Sequence, residues 1–311
     1  SVFSGAGVFD IGFHEEFHIL RSLDIDKDAA RTYRYNFGNH IAQDNVLSVD
    51  RETIPEVDLL VGGSPCQGFS NANRRTNVIN NPNNLLIREF IRMVKCTNCK
   101  VFVLENVPQV LTAGNGQFVK ELKSALSAYR ITAGVLNASH FGTAQNRKRA
   151  FIMGSKIGDI SLPIPKQTKI KTVEEAFVGL HDDLPNQLDY TDSSGIALER
   201  MKHIPQGGNV MDIPEQIRPK GTHSINYRRL RFDEVSPSIV HVGKSNILHP
   251  TENRNISVRE TARLFDVPDS FVFKGALRAM QQQIANSVPV SLGRAIARKV
   301  KETFSRKLIY F

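Results

Sequence analysis

The first 155 residues alternate short apolar segments with segments of helical periodicity, and this alternation constrains the fold more than any other feature. Short apolar runs are typical of strands, whereas apolar residues that recur every three or four positions indicate helices. Strands are predicted at residues 2–3, 23–25, 57–61, 101–104, 131–136 and 150–154. Helices are predicted at 9–20, between the second strand and residue 36, at 85–94 and at 118–129. Because strands that alternate with helices form sheets covered on both faces, we predict an α/β fold with a doubly wound, mainly parallel sheet.

The sequence becomes less regular and richer in turn-forming residues after residue 165. One short helix remains recognisable there, because Thr172 and Glu175 form a capping box ahead of apolar residues. Helical periodicity returns near the end of the chain. We therefore predict a larger domain made of residues 1–165 and completed by 271–311, and a smaller, irregular domain made of residues 166–270.

The composition favours a polyanionic partner and argues against a membrane protein. The 311 residues carry a formal charge of +9, which favours nucleic acid, although ordinary basicity would give the same charge. No apolar run approaches the roughly 18 residues that a membrane span requires. Three cysteines indicate a reducing compartment. Cys96 and Cys99 have no second ligand pair nearby, so we predict no metal site, and we expect the natural N-terminus to lie upstream of Ser1.

A glycine-containing turn joins the first predicted strand to the first predicted helix. Phe3, Gly5 and Gly7 lie in this turn, where glycine allows a ligand to approach the backbone and the helix N-terminus. Asp24 ends the second strand, where nucleotide-binding sheets place a carboxylate for ribose hydroxyls, and Asp26 is a near competitor. The pair of features indicates an adenosine-containing cofactor without identifying it.

A single cysteine, Cys66, follows the third predicted strand and two glycines, Gly62 and Gly63. An apolar run that ends in glycines predicts a buried strand followed by a tight loop. Ligands bind at the carboxyl ends of strands in open α/β sheets, so a thiol there would be placed for chemistry. Cysteine is also among the most buried residue types, so its position alone does not distinguish a reactive thiol from a core residue.

Two further polar segments adjoin predicted strands. Glu105 follows the strand at 101–104 and would be poised for proton transfer in the same sheet as Cys66. Gln145, Arg147 and Arg149 lie next to the last predicted strand, and two arginines at alternate positions would point the same way if extended. They could bind phosphate or lower the pKa of a thiol, whereas a solvated basic loop is the plain alternative.

These segments, in this order and at these spacings, resemble the DNA (cytosine-5)-methyltransferase family over nearly the whole chain. The matching segments are Phe3-x-Gly5-x-Gly7, Asp24-Ile25-Asp26, Asp44, Pro65-Cys66-Gln67, Glu105-Asn106-Val107, Gln145-x-Arg147-x-Arg149, Arg259 to Leu264, and Gln283 to Pro289. Each short motif is weakly specific, whereas the ordered set is strongly specific. The chain departs from the family at Val8 and Ala285, where the family usually has glycine, and at Asp24, where it commonly has glutamate.

The resemblance implies a methyltransferase that uses S-adenosylmethionine and no metal. It implies that Cys66 attacks C6 of a flipped-out cytosine, that Glu105 assists at N3, and that Gln145, Arg147 and Arg149 complete the catalytic set. We predict that Arg147 lowers the pKa of the Cys66 thiol. The cofactor-binding residues would be Phe3, Gly5, Gly7, Asp24, Ile25, Asp44, Pro65, Asn286 and Ser287.

The resemblance also implies that residues 166–270 recognise a specific sequence of double-stranded DNA. The segment that follows Cys66 would close over the flipped base. Predicted DNA-binding residues are Gln67, Ser70, Arg74 and Arg75 in that segment, and Arg228, Arg229, Arg231 and Lys244 in the smaller domain. Most of these arginines are expected to contact phosphate, because more than half of protein–DNA contacts go to the backbone.

Two alternatives remain open at this stage. A tRNA cytosine-5 methyltransferase on the same scaffold would share the catalytic motifs, and a DNA-binding relative without activity would have lost Cys66 or Glu105, both of which are present. The compact chain suggests a monomeric prokaryotic or phage enzyme in the cytoplasm, at the nucleoid, or in the nucleus of a eukaryote. A restriction endonuclease that acts on the same site without a stable complex is a further expected partner.

Overall fold

The computed structural model describes residues 1–65, 85–165, 169–221 and 223–307. In these ranges the strands are β1 (Ser22–Asp24), β2 (Ile41–Gln43), β3 (Leu59–Gly63), β4 (Val101–Asn106), β5 (Arg130–Asn137) and β6 (Lys148–Ser155). The α-helices are α1 (Val8–His14), α2 (Lys27–Phe37), α3 (Leu85–Cys96), α4 (Gln117–Ala125), α5 (Val173–Phe177), α6 (Gly195–Lys202), α7 (Val242–Ser245), α8 (Val258–Arg263), α9 (Leu277–Asn286) and α10 (Val290–Lys307). The predicted α/β class and the alternation of strands and helices are confirmed.

The strands lie side by side in the order β2, β1, Val2, β3, β4, β6, β5. Val2 forms parallel bridges to Leu23 and Gly62, and β1–β2 and β3–β4 are parallel pairs. β6 runs antiparallel to both β4 and β5. Because β6 is reversed, its first residues lie at the edge of the sheet where β1, β3 and β4 end. The sheet is therefore mainly parallel, as predicted, and one edge collects residues from four strands.

Gly62 and Gly63 belong to β3 and not to a loop, so the prediction of a loop at these glycines was wrong. They pair with Leu104 and Glu105 of β4. A Cβ atom on Gly62 would lie 2.8 Å from the side chain of Phe90 in α3, closer than such atoms can approach. The glycine is needed because a helix packs directly on the strand at this point.

The core occupies both faces of the sheet, and β4 shows how the sequence divides them. Alternate residues of a strand point to opposite faces. Phe102 and Leu104 pack with buried residues of α3 and α4 on one face. Val101 and Val103 pack with α1 and α10 on the other face. A strand that is buried on both faces carries an unbroken apolar run, and this run made β4 recognisable in the sequence.

Polar residues set several helix boundaries. The Asp26 carboxylate accepts a hydrogen bond from the Ala29 N–H at 2.8 Å and caps α2, which gives Asp26 a structural role. The capping box of Thr172 and Glu175 is present at α5, as predicted. α1 ends at His14, well before the predicted end at residue 20. The helical C-terminal region consists of two helices, α9 and α10.

Residues 166–270, where described, contain short helices and irregular segments and are called here the irregular region. Their buried apolar residues belong mainly to two cores. One core, which includes Met201, Val210 and Leu248, is formed within the region. The other joins residues such as Val258 to Val8 of α1 and therefore spans the predicted domain boundary. The division at residues 165 and 270 stays a prediction. None of the helices in the described parts of the chain is long and apolar enough to cross a membrane.

Arg229 stabilises the irregular region from within, so its predicted contact with DNA was wrong. The side chain is buried, and its guanidinium donates to the carbonyls of Met201, Ile204 and His249. It also donates to the Asn253 side chain at 2.7 Å. Burial lowers the pKa of Arg229. Since main-chain acceptors satisfy these donors, no part of this guanidinium is left to bind a phosphate.

We expect Arg229→Met to lower the free energy of unfolding by about 3 kcal/mol or more, because each buried carbonyl left without a donor costs about 1–3 kcal/mol. Urea denaturation measures this loss. The control is Arg231→Met, which removes exposed ion pairs with Asp233 and Glu234 and should leave the urea midpoint unchanged. Equal midpoints for the two variants would contradict the structural role of Arg229.

Candidate active site

A cavity of about 1170 Å³ opens at the sheet edge where β1, β3 and β4 end. Asp24, Gly63 and Glu105 form part of its wall, and Arg149 joins them from the start of the reversed strand β6. A smaller cavity of about 330 Å³, near the start of β3, contacts none of the predicted site residues. The large cavity therefore brings together the glycine turn, the strand-end carboxylates and one of the two arginines.

The glycine turn leaves open space beside one of its glycines. Phe3 and Gly5 both have positive φ angles, 54° and 55°. A Cβ atom on Gly5 would meet no atom within 4 Å, whereas one on Gly7 would lie 2.5 Å from the Phe37 ring. Gly5 and Phe3 line the cavity. Gly7 instead allows α2 to pack closely against the turn, which is a structural role. Its contact with a cofactor stays a prediction.

Two carboxylates that are predicted to bind the cofactor, those of Asp24 and Asp44, lie on the cavity wall. The Asp24 carboxylate accepts hydrogen bonds from the N–H groups of Gly5 at 2.7 Å and Asp26 at 2.9 Å. Burial raises the pKa of Asp24, although these N–H donors oppose the shift. Asp44 follows β2 and lines the same cavity, as does Ile25, an apolar side chain that is 65% exposed. An exposed isoleucine next to a half-buried carboxylate suits a flat aromatic ring next to a polyol.

Asn286 and Ser287 lie at the junction of α9 and α10 and line the same cavity. The Asn286 side-chain oxygen accepts a hydrogen bond from Gln282 at 2.7 Å, and the Ser287 hydroxyl donates to the Gln283 carbonyl at 2.8 Å. Pro65, two residues after the end of β3, lines the cavity as well. These three residues therefore share one space, and their contact with a cofactor stays a prediction.

Glu105 and Arg149 form an ion pair inside the cavity. Arg149 Nε lies 3.0 Å from Glu105 Oε1, and both side chains are largely buried. Burial raises the pKa of Glu105, and the positive charges of Arg149 and Arg147 only partly oppose this effect. A carboxyl group whose pKa is raised in a cavity can hold a proton near neutral pH and donate it to a ligand.

Asn106 fixes the backbone beside Glu105, a role that sequence reasoning did not assign. Its side-chain N–H group donates to the Ser64 carbonyl at 2.9 Å and also reaches the Ser64 hydroxyl at 3.2 Å. Both residues are buried. The end of β4 is thereby tied to the segment that leads into Pro65 and Cys66.

Gln145 and Arg147 do not line the cavity, and the structure shows both as buried supports. The Gln145 side chain accepts from the Ile239 N–H and donates to the Leu264 carbonyl. Arg147 donates to the carbonyls of Ile239 and Ala285. Both polar groups of the Ile239 backbone are thus held by this pair. The expectation that Arg147 and Arg149 point the same way was wrong, because Arg147 precedes β6 and turns toward the irregular region.

The remaining predicted residues are distributed between the surface and the undescribed part of the chain. Cys66, Gln67, Ser70, Arg74 and Arg75 lie outside the described residues. In the irregular region Lys244 is exposed and Arg228 is half-buried, so both stay predicted DNA contacts. Arg231 is exposed but paired with Asp233 and Glu234. No group of three metal-ligating side chains occurs in the described ranges.

A family model described as C-5 cytosine-specific DNA methylase matches residues 1–302. The chain belongs to this family. Type II methyltransferase M1.HphI of Haemophilus parahaemolyticus is 36% identical over 320 residues, which cover 96% of this chain and 85% of the relative. M.NgoFVII of Neisseria gonorrhoeae is 31% identical, with 98% and 86% covered. A crystal structure of a candidate DNA modification methyltransferase from an E. coli prophage has a TM-score of 0.77 at 23% identity, with 98% of each chain covered, which supports the fold.

Membership of the C-5 cytosine-specific DNA methylase family makes this protein a DNA (cytosine-5)-methyltransferase and implies S-adenosylmethionine as the methyl donor. The two departures from a family glycine, Val8 and Ala285, are accommodated in the fold. Val8 is buried at the start of α1, in the core shared with α8. Ala285 lies in ordinary helical backbone near the end of α9, where its carbonyl accepts the Arg147 hydrogen bond.

Proposed function

We propose that this methylase transfers a methyl group to C5 of an extruded cytosine in a specific sequence of double-stranded DNA, through a covalent bond between Cys66 and C6. One observation carries the proposal: a single cavity joins the Asp24 region to the Glu105–Arg149 pair. A methyl donor and a base must meet in one space that excludes water, and this cavity has a site of suitable chemistry at each end.

The Asp24 end of the cavity fits the cofactor. Asp24 would bind the ribose hydroxyls, Phe3 and Ile25 would flank the adenine, and Asp44 would accept from its amino group. The open space beside Gly5 leaves room for the ligand against the backbone. Asn286, Ser287 and Pro65 line the same cavity and would complete the cofactor site. S-Adenosylmethionine, when bound, supplies the electrophilic methyl group.

The Glu105 end of the cavity fits the cytosine ring. Carbon C5 of cytosine is a weak nucleophile until the aromatic ring is broken. Attack of the Cys66 thiolate on C6 makes C5 enamine-like, and a proton or hydrogen bond from Glu105 to N3 draws charge out of the ring. After methylation, loss of the C5 proton and expulsion of the Cys66 sulfur restore the aromatic ring. The raised pKa of Glu105 supports its role as the donor.

Arg149 is the better candidate for the second polar group at the base. It is in the cavity and contacts Glu105, whereas Arg147 supports the irregular region. We assign Arg149 to orienting Glu105 and the base. An effect of Arg147 on the pKa of the Cys66 thiol stays a prediction.

The experiment that tests the function is tritiated methyl transfer from S-adenosylmethionine to duplex DNA and, in parallel, to tRNA. Incorporation into duplex DNA alone is expected, and bisulfite sequencing of a genome that expresses the protein then gives the recognised sequence. Incorporation only into tRNA would overturn the proposal, and no incorporation into either would indicate a DNA-binding relative without activity. A type II modification role, as the names of the relatives suggest, predicts that this DNA is protected from one restriction endonuclease.

A further inference from the structure

Arg278 lies on the cavity wall, although no sequence motif marked it. It is an exposed residue in the first turn of α9. Arg278, Gln282 and Asn286 are spaced by four, share one face of the helix, and all line the cavity. Eight residues of helix correspond to about 12 Å, so Arg278 lies far along this face from Asn286. It therefore occupies the part of the cavity wall remote from the junction of α9 and α10.

This part of the wall adjoins the irregular region. α7 packs against α9 so closely that a Cβ atom on Gly243 would lie 2.6 Å from the Gln281 side chain. The buried His241 ring caps α7 between the two helices. Burial lowers the pKa of His241, and the charges of Lys244 and Arg278 add to the effect. Lys244 belongs to α7 and Arg278 to α9, two helices that pack together, and both residues are exposed.

These two cations have no carboxylate partner within the described ranges, in contrast to many arginines of the chain. Arg254 and Arg263, for example, form ion pairs with Glu260 and Asp269. Val240 of the irregular region also lines the cavity, and this apolar side chain is 67% exposed. The rim of the cavity next to the irregular region thus presents positive charge and apolar surface to solvent.

We propose that Arg278 binds a backbone phosphate next to the target cytosine, with Lys244 as a second phosphate contact. The proposal rests on duplex DNA being the substrate. In this proposal the extruded base enters the cavity over this rim, and the phosphates on either side of it cross the rim. A guanidinium binds phosphate through two parallel N–H···O hydrogen bonds, which fixes the position of the strand. Arg278 is therefore a positioning residue for the reaction.

The test compares Arg278→Gln with Arg130→Gln, which removes the same charge from an exposed pair with Asp159 outside the cavity. DNA binding is measured against salt concentration with a duplex of the recognised sequence. We expect Arg278→Gln to weaken binding about tenfold and to reduce the salt dependence, the slope of log K against log salt, by about 0.9, the value for one phosphate contact. Arg278→Lys should restore most of the slope, and Arg130→Gln should leave it unchanged.

The affinity for S-adenosylmethionine should stay at the wild-type value in Arg278→Gln. An unchanged slope would overturn the inference. So would a weaker cofactor affinity with unchanged DNA binding, which would mean that Arg278 faces the cofactor carboxylate. Failure of the wild-type protein to bind duplex DNA at all would instead overturn the proposed function, so the two failures are distinguishable.

Discussion

Cys66→Ser is expected to abolish the covalent adduct with a duplex that contains 5-fluorocytosine at the target position. Fluorine at C5 cannot leave as a proton does, so the enzyme stays bound through sulfur to C6 after methyl transfer. A serine hydroxyl at the same position ionises far less readily than a thiol and is a poorer nucleophile for C6. We expect methyl transfer to fall on the order of 10⁴-fold or more, as in other enzymes that lose their nucleophile. Denaturing gel electrophoresis of the adduct and tritium incorporation measure the two effects.

The chain offers a matched control for this experiment, because it has three cysteines. Cys96→Ser changes a free, partly exposed thiol at the end of α3 and should leave the adduct intact. Cys99 is less suitable, because it is buried against Tyr129 and its pKa is raised by burial. An adduct that survives in Cys66→Ser, or disappears in Cys96→Ser, would contradict the assignment of the nucleophile.

The sequence predicts the sheet well where burial is two-sided. The run at 101–104 became β4, and the acid predicted at its end lies in the cavity at the end of the strand. The glycine turn and Asp24 were found for the same reason, since strand ends in a parallel sheet meet at one edge. Asn286 and Ser287 come from the other end of the chain, and only the resemblance to a family indicated that they belong to this site.

The sequence fails where a residue's environment is built by distant segments. In the sequence alone, Arg147 and Arg229 cannot be distinguished from solvated cations, yet both side chains are buried. The carbonyls that bind Arg147 belong to residues 92 and 138 positions away. A local pattern cannot identify such acceptors, because they depend on how the irregular region packs on the sheet. For the same reason the sequence did not identify Arg278 as a site residue, because it lines the cavity only through the placement of α9.

Glu105→Gln is expected to lower kcat about 10²-fold or more, because proton donation in the transition state typically contributes 10²–10⁴-fold. Glutamine has nearly the same shape, and its side-chain oxygen can stay next to Arg149, so the variant should fold. It can donate a hydrogen bond to a base, but it cannot transfer a proton to N3. Single-turnover methyl transfer to duplex DNA measures the loss. Glu199→Gln, in an exposed pair with Lys202 on α6, is the control for the change of charge.

The pH dependence of the same variant separates proton donation from simple packing. Burial raises the pKa of Glu105, so the protonated donor persists to higher pH than for a free glutamate and is lost as the pH rises through the raised pKa. The wild-type rate should therefore decline on the alkaline side. This decline should be absent in Glu105→Gln, which cannot titrate, while the acid-side decline from protonation of the nucleophile remains. An alkaline decline of the same midpoint in both proteins would mean that another group titrates there, and that Glu105 acts on the base only as a fixed hydrogen-bond partner.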